Sequence, residues 1–420
     1  MRKTDISTMA SKPDIWVDDL RAGGDVVRVR FPMLGQVWMT TSYAAAAAML
    51  KDDARLTMRK AGPDAKLAGL KWWMPNIIRL LANNMLSNDE PIHGRLRRAV
   101  DHAFRPPFAD TWPNLIDQQL DRLLPPIFKD LQNHRQVDMV ERLARPFPLG
   151  VICEMLGFDS PMTSQFAILA ARMTDISGAL SFLRAIRPMR RMRRLIVNQM
   201  EACSGSDFQP TGGLVAALVQ NMNKANEGED VHEDGHLSED EVVAMIFLLL
   251  MAGHETTTHL ISGSLLELMK HRDQWDWLKH HSGDRAAMRQ ATDELLRHVS
   301  PVQVSKPRHV GEDCVFHGVE LKRGDMIMAG LASANRDPTI WDIPHQFNIH
   351  RTAHPHIEFG SGIHFCLGHR LARLELERVL QRLMEFEDAS GRRLALASAQ
   401  PVWRKRPGLR ALQSLPMILK

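Results

Sequence analysis

One cysteine in this 420-residue sequence stands apart from the other three by its setting. The stretch Phe359-Gly360-Ser361-Gly362-Ile363-His364-Phe365-Cys366-Leu367-Gly368 is a glycine-punctuated loop, and the run His369 to Glu375 after it has helical character. Gly362 and Gly368 permit a positive φ or the close approach of another backbone. Cys366 is thereby presented by a tight loop at a helix N-terminus, where backbone N–H groups and the helix dipole favour a thiolate over a thiol. A lone stabilised thiolate suits an axial haem ligand, and cysteine-ligated haem favours O–O cleavage. A buried structural cysteine in a glycine-rich turn is the plain alternative. A zinc site from His364, Cys366 and His369 lacks a second ligand pair at zinc spacing.

Three further groupings can do chemistry. Ala252-Gly253-His254-Glu255-Thr256-Thr257-Thr258 puts glycine and three threonines, all poor mid-helix residues, inside an otherwise apolar helical run. Threonine hydroxyls bond back to the carbonyl four residues earlier and bend a helix, and an acid beside an alcohol can relay protons. A kinked helix with a solvated glutamate is the plain alternative. His93 and Arg97 lie four apart, on one helical face, and can grip one carboxylate or phosphate; an arginine-rich turn is otherwise a solvated basic face. Glu294 and Arg297, three apart, also share a helical face, a pairing common on surface helices.

Together these residues resemble the cytochrome P450 family. Phe359, Gly362, Cys366 and Gly368 stand at the spacing of that family's cysteine loop, and the Ala252–Thr257 stretch is similar to its oxygen-activation motif. Glu294 and Arg297 followed by Ser300-Pro301-Val302 resemble its Glu-x-x-Arg helix and the strand after it. The resemblance implies heme b (iron protoporphyrin IX) with Cys366 as the metal ligand. His93, Arg97, Arg308 and His364 would contact its propionates, Phe359 would pack beneath it, and Gly368 would let the next helix begin against the ring. Ala252 with Gly253 would leave room for O2, Glu255 would be the catalytic acid and Thr256 the alcohol. Leu248, Met251, Ala252, Val302 and Val304 would face the substrate. Glu294 and Arg297 would be structural. Many members complete that pair with an arginine where this chain has Gln346; His345, His350 and Arg351 are the candidates to replace it.

The elements that must position these groups are legible in outline. Residues 25–31 and 36–40 read as paired strands, and Ser42 before five alanines as a capped helix start. Residues 61–90 form a loop-rich apolar stretch with Trp72 and Trp73, over the substrate pocket by family position. Amphipathic helices follow at 115–131 and 140–156, the second interrupted by Pro146 and Pro148, and 184–200 is a strongly basic helix. The acidic stretch 221–240 reads as a connection. Ser238 and Glu241 then have capping-box spacing and open a long helix over about 239–269. Residues 314–334 read as a small sheet. The expected fold is mainly α with a small β-rich region, the cytochrome P450 fold, as one haem domain over 1–420.

Composition bounds the function. The chain is 44% hydrophobic with a net charge of +4, enough for a large core and no argument for nucleic acid. Four scattered cysteines suggest no disulfide framework and fit a reducing cytoplasm. Neither a signal-like N-terminus nor an uncharged run longer than 242–253 indicates a membrane anchor, so a soluble cytoplasmic monomer is expected. No dinucleotide fingerprint appears. The implied reaction is monooxygenation: one atom of O2 enters an apolar small molecule, by hydroxylation or oxidative dealkylation, with electrons from a ferredoxin and ferredoxin reductase. Arg95, Arg98, Arg370 and Arg373 are expected on the surface that meets this acidic partner. A peroxide-driven enzyme has no need of Glu255 and Thr256, and a haem sensor or carrier has no need of the oxygen helix.

Overall fold

Two distant parts of the chain meet in one sheet. The computed structural model describes residues 2–3, 6–59, 75–173, 179–204, 213–226, 237–352, 355–398 and 400–420. Strands β1 (Arg2–Lys3), β2 (Val26–Phe31), β3 (Gly35–Thr40) and β4 (Leu56–Thr57) come from the N-terminal part, and β5 (Arg308–Val310) and β6 (Met326–Ala329) from far downstream. Their spatial order is β1-β2-β3-β6-β5-β4. The expected hairpin is present, with Val26 opposite Thr40 and Phe31 opposite Gly35. Alternation of buried and exposed side chains along β2 sends Val27, Val29 and Phe31 into a core shared with Met9, Trp16 and Met328.

Apart from one three-stranded and two two-stranded sheets, helices make up most of the rest. Helix α1 (Tyr43–Lys51) starts where Ser42 accepts a hydrogen bond from the Ala45 N–H, satisfying a donor that has no partner inside the helix. Helices α2 (Ile92–Asp101) and α3 (Trp112–Gln132) follow. A π-helical turn at Val140–Ala144 gives way to α4 (Pro146–Leu156), because Pro146 lacks the N–H that would continue the earlier pattern. Helices α5 (Ser160–Ala171) and α6 (Ala179–Cys203) come next, then α7 (Glu239–Lys270), α8 (Arg285–Val299) and α9 (His369–Ser390). Of the expected loop over 61–90, residues 61–74 lie outside the described residues, whereas Asn76–Leu81 is a short helix; of the expected connection over 221–240, residues 227–236 lie outside them, whereas 221–226 belong to the helix Gly213–Asn226.

Helix α7 is the axis. Its capping box is complete: Ser238 accepts from the Glu241 N–H while the Glu241 carboxylate accepts from the Ser238 N–H. By length and composition α7 could cross a membrane, but 72% of its apolar window is buried among other helices. Side chains from all round it, from Val242 to Met269, enter the largest core cluster together with residues of α3, α4, α8 and α9. A helix apolar on every side belongs in a core. Only around Ala252 does this burial break: Ala252 is exposed and Met251, Gly253, Glu255 and Thr256 are half-buried, although the helix is buried on both sides of them. The helix therefore faces an internal space there.

Candidate functional site

The cysteine loop is held by its backbone. Gly362 is required twice over: its φ of +74° is left-handed, and a Cβ there would lie 2.5 Å from the carbonyl oxygen of Leu50 at the end of α1. The Cys366 N–H donates to the Phe359 carbonyl at 2.9 Å, closing the loop on itself. Gly368 differs from expectation. It caps α9 with φ −85°, and an added Cβ would meet nothing closer than the Phe104 ring at 3.9 Å. Its contribution is its backbone N–H, which favours the Cys366 thiolate.

The thiol does not ionise on its own. Burial pushes Cys366 up to about 11, against the Gly368 N–H and the charges of Arg97 and Arg373. The dipole and N–H groups that suggest a thiolate in the sequence are thus outweighed by desolvation. A metal cation at the sulfur would reverse that balance, since a coordinating thiol is deprotonated outright.

His93 and Arg97, on α2, share a face as their spacing predicts, and that face closes over this loop. His93 contacts the Met85 carbonyl through Nδ1 (2.8 Å) and the Ile363 carbonyl through Nε2 (3.0 Å). Only a doubly protonated ring can donate to both. Arg97 Nη1 donates to the carbonyls of Ile363 and Phe365, at 3.0 and 2.9 Å. His364 packs edge-on against His93, ring centroids 4.4 Å apart, and neither of its buried ring nitrogens has a hydrogen-bond partner among the described residues. Burial, together with the charges of His93, Arg308, Lys306 and Arg97, pushes His364 down to about 3. Arg308 is buried and engaged elsewhere: it pairs with Asp53 at 2.9 Å and donates to the Leu50 carbonyl at 3.1 Å. That is the carbonyl on which Gly362 sits. Phe359 lies under the Arg373 guanidinium at 4.6 Å.

On α7 the Thr256 hydroxyl donates to the Ala252 carbonyl at 2.7 Å, and Thr258 to that of His254 at 2.9 Å, the back-bonding expected of threonines in a helix. Glu255 forms an ion pair with Arg406 from the C-terminal segment. Burial raises its pKa, while Arg406, Arg404 and Arg145 oppose the rise. These groups line a small cavity with His254, Thr258 and His259. Both histidines are held neutral, first by burial: His254 at about 4 and His259 at about 3. Leu248 belongs to the largest core cluster, against which Met251, Phe359 and Leu367 pack. Val302 and Val304 do not join them. Val302 packs on the second cluster, and Val304 belongs to the third, beside Phe31 and Met328.

Glu294 and Arg297 form a buried bidentate pair at 2.7 and 2.8 Å. Arg351 supplies the further arm, its Nε 3.4 Å from Glu294. Gln346 takes part through its carbonyl, which accepts from Arg297 and Arg351. His345 turns instead to Asp14 and Asp18. The expected partner surface is altered in two places: Arg95 is tied to Glu241 and Arg373 to Asp293, while Arg98 and Arg370 are exposed.

A haem fits these residues. The half-accessible Cys366 offers one thiol whose thiolate the Gly368 N–H favours, α7 opens an internal face at Ala252, and the partnerless nitrogens of His364 lie among cations where carboxylates would be welcome. Among the described residues no cluster of three or more His, Cys, Asp or Glu side chains competes as a metal site. Sequence reasoning missed Arg406, whose place in the basic run Arg404-Lys405-Arg406 says nothing of Glu255. It also passed over His254, which adjoins Glu255 and was open to notice.

A family model described as Cytochrome P450 matches residues 192–387. The chain is 34% identical to the polyketide biosynthesis cytochrome P450 PksS of Bacillus subtilis, over 93% of this chain and 91% of that one. It is 30% identical to 6-deoxyerythronolide B hydroxylase of Saccharopolyspora erythraea, over 96% and 94%. Among solved structures, PksS superposes with a TM-score of 0.83 at 31% identity, covering 98% of each chain. The tirandamycin C-bound P450 monooxygenase TamI does so with 0.83 at 30%, covering 100% of each.

Proposed function

Because the chain belongs to the cytochrome P450 family, with its fold, its haem and its oxidoreductase chemistry, we propose that it is a soluble, cytoplasmic haem-thiolate monooxygenase that oxidises an apolar small molecule with electrons from a ferredoxin system. The observation that carries this reading is the Cys366 loop: a single thiol, in a loop closed by the Cys366 N–H on the Phe359 carbonyl and fixed against α1 through Gly362.

When bound, the haem supplies the activation of O2 and the oxidising equivalent. The chain's residues do the rest. Cys366 provides the sulfur ligand, and the Gly368 N–H favours its thiolate and so tunes the iron's potential. Arg97 and His364 would hold the propionates, while His93 holds the cysteine loop and Arg308 the end of α1. Leu248, Met251 and Ala252 present apolar surface to the substrate and keep water out. Thr256 positions a proton at its Oγ1, and Glu255 replenishes it from the cavity beside Arg406. The part of PksS in polyketide biosynthesis, as its name states, supports a polyketide as the substrate class. Exposed Arg98 and Arg370 suit an acidic electron donor.

The test is the absorption spectrum of reduced, carbon monoxide-treated protein, for wild type and Cys366→Ser. A strongly red-shifted Soret band in the wild type, lost in the variant, is expected. A wild-type band typical of histidine ligation overturns the proposal.

A further inference from the structure

Lys306 stands two residues ahead of Arg308, outside every motif named above. Its Nζ donates to the Ser87 hydroxyl at 2.9 Å. Ser87 is fully buried and ends the turn Met85–Ser87, whose Met85 carbonyl contacts His93. The ammonium thus belongs to the cluster of His93, Arg97, Arg308 and His364, and its charge is among those holding His364 neutral. Arg308 in that cluster has Asp53, but among the described residues no carboxylate lies within ion-pair distance of Lys306.

Two facts about this lysine look opposed. Its side chain keeps accessible surface, yet protein surrounds it closely enough that desolvation lowers its pKa to about 8, with no compensating charge. Both hold if the ammonium faces an internal space, not the outside. A desolvated cation without a counter-ion is costly, and the stable arrangement supplies an anion. Ser87 aims the ammonium but cannot neutralise it.

We infer that Lys306, aimed by Ser87, is a carboxylate-binding group at the edge of the haem pocket, taking either a haem propionate or the carboxylate of an acidic apolar substrate. The inference rests on the haem-thiolate reading above. The propionate source makes Lys306 a cofactor clamp. The substrate source makes it a selector for acids over their esters.

The experiment uses holoprotein, wild type against Lys306→Met, which keeps the stem length and removes the charge. Haem transfer to an excess of a haem-scavenging apoprotein is followed by absorbance. Binding of hexadecanoate and of its methyl ester is titrated on the same samples. A charge-assisted hydrogen bond is worth roughly tenfold. Haem transfer about tenfold faster in the variant, with both titrations unchanged, assigns the propionate. Hexadecanoate binding weaker by about tenfold, with ester binding and haem transfer unchanged, assigns the substrate. Lys306→Arg should restore whichever is lost, and Ser87→Ala should move the same readout less far in the same direction. If Lys306→Met and Ser87→Ala both match wild type in all three measurements, the inference is overturned. The carbon monoxide spectrum of the wild-type sample separates that failure from failure of the haem-thiolate reading.

Discussion

Two glutamate–arginine pairs of this protein, Glu294–Arg297 and Glu255–Arg406, are built in opposite ways. Around Glu294 every donor is used. The five N–H groups of Arg297 go to both Glu294 oxygens and to the carbonyls of Asn335, Pro344 and Gln346. Glu294 also accepts from the Asn348 N–H at 2.9 Å and meets Arg351. Around Glu255 the polar groups are left partly open. The ring nitrogens of His259 have no hydrogen-bond partner among the described residues, and the Arg406 that pairs with Glu255 also donates to the Met173 carbonyl, just past α5. A saturated network fixes one geometry. A partly satisfied one has neighbouring states within reach, which is what a group that must gain and lose protons needs.

Arg297→Met is the hardest test of this contrast. It leaves Glu294 buried without its partner, at a cost of about 3–5 kcal/mol. We expect a collapse in the yield of folded holoprotein and a large drop in melting temperature; a variant that melts like wild type would show that the saturated pair holds nothing together.

Arg406→Met should cost less and depend on pH. Burial already raises the Glu255 pKa above its unfolded value, and Arg406 opposes that rise. A carboxyl with a raised folded pKa binds extra protons in the native state, so it lowers stability as pH climbs above the unfolded value and is silent well below it. Removing Arg406 raises the folded pKa further. In urea unfolding, the stability lost by the variant should therefore grow from about pH 4.5 toward neutrality and level off at lower pH. The dependence should vanish in the Glu255→Gln background. A loss that is the same at every pH would mean that the pair does not govern Glu255 ionisation.

The smallest effect is expected at Gln346→Ala. Its side chain is exposed, and only its backbone carbonyl serves the network, so stability should change by no more than about 0.5 kcal/mol. A larger loss would reveal a part for the side chain in the Glu294 network.

Much of the site could be read directly from the chain. The limits of α7, its capping box and the back-bonding threonines follow from local rules, because a helix brings residues three and four apart together whatever surrounds it. The Glu294–Arg297 spacing and the shared face of His93 and Arg97 were visible for the same reason, but not that this face meets the carbonyls of the cysteine loop. Less visible was which of three candidates replaces the arginine missing at position 346. Arg351 does so because the backbone after α8 turns it back toward Glu294, and no periodicity encodes that turn. The expectation that Val302 and Val304 face the substrate rested on their position in the chain; the structure shows Val302 half-buried against the second cluster and Val304 inside the third.

The sequence alone therefore determined the chemistry on offer: one loop-borne thiol, an acid beside an alcohol, and a helix capped and apolar enough to carry them through a core. Tertiary structure decided how those groups are tuned. It placed the Leu50 carbonyl where only Gly362 fits, gave Glu255 an arginine from the far end of the chain, and set the Lys306 ammonium against Ser87. It also kept Cys366 a thiol until a cation binds, although the local dipole favours the thiolate. The reason is physical: spacing fixes which groups share a face, whereas ionisation depends on how much water is excluded and which charges face the group, and these arise only when distant segments close around it.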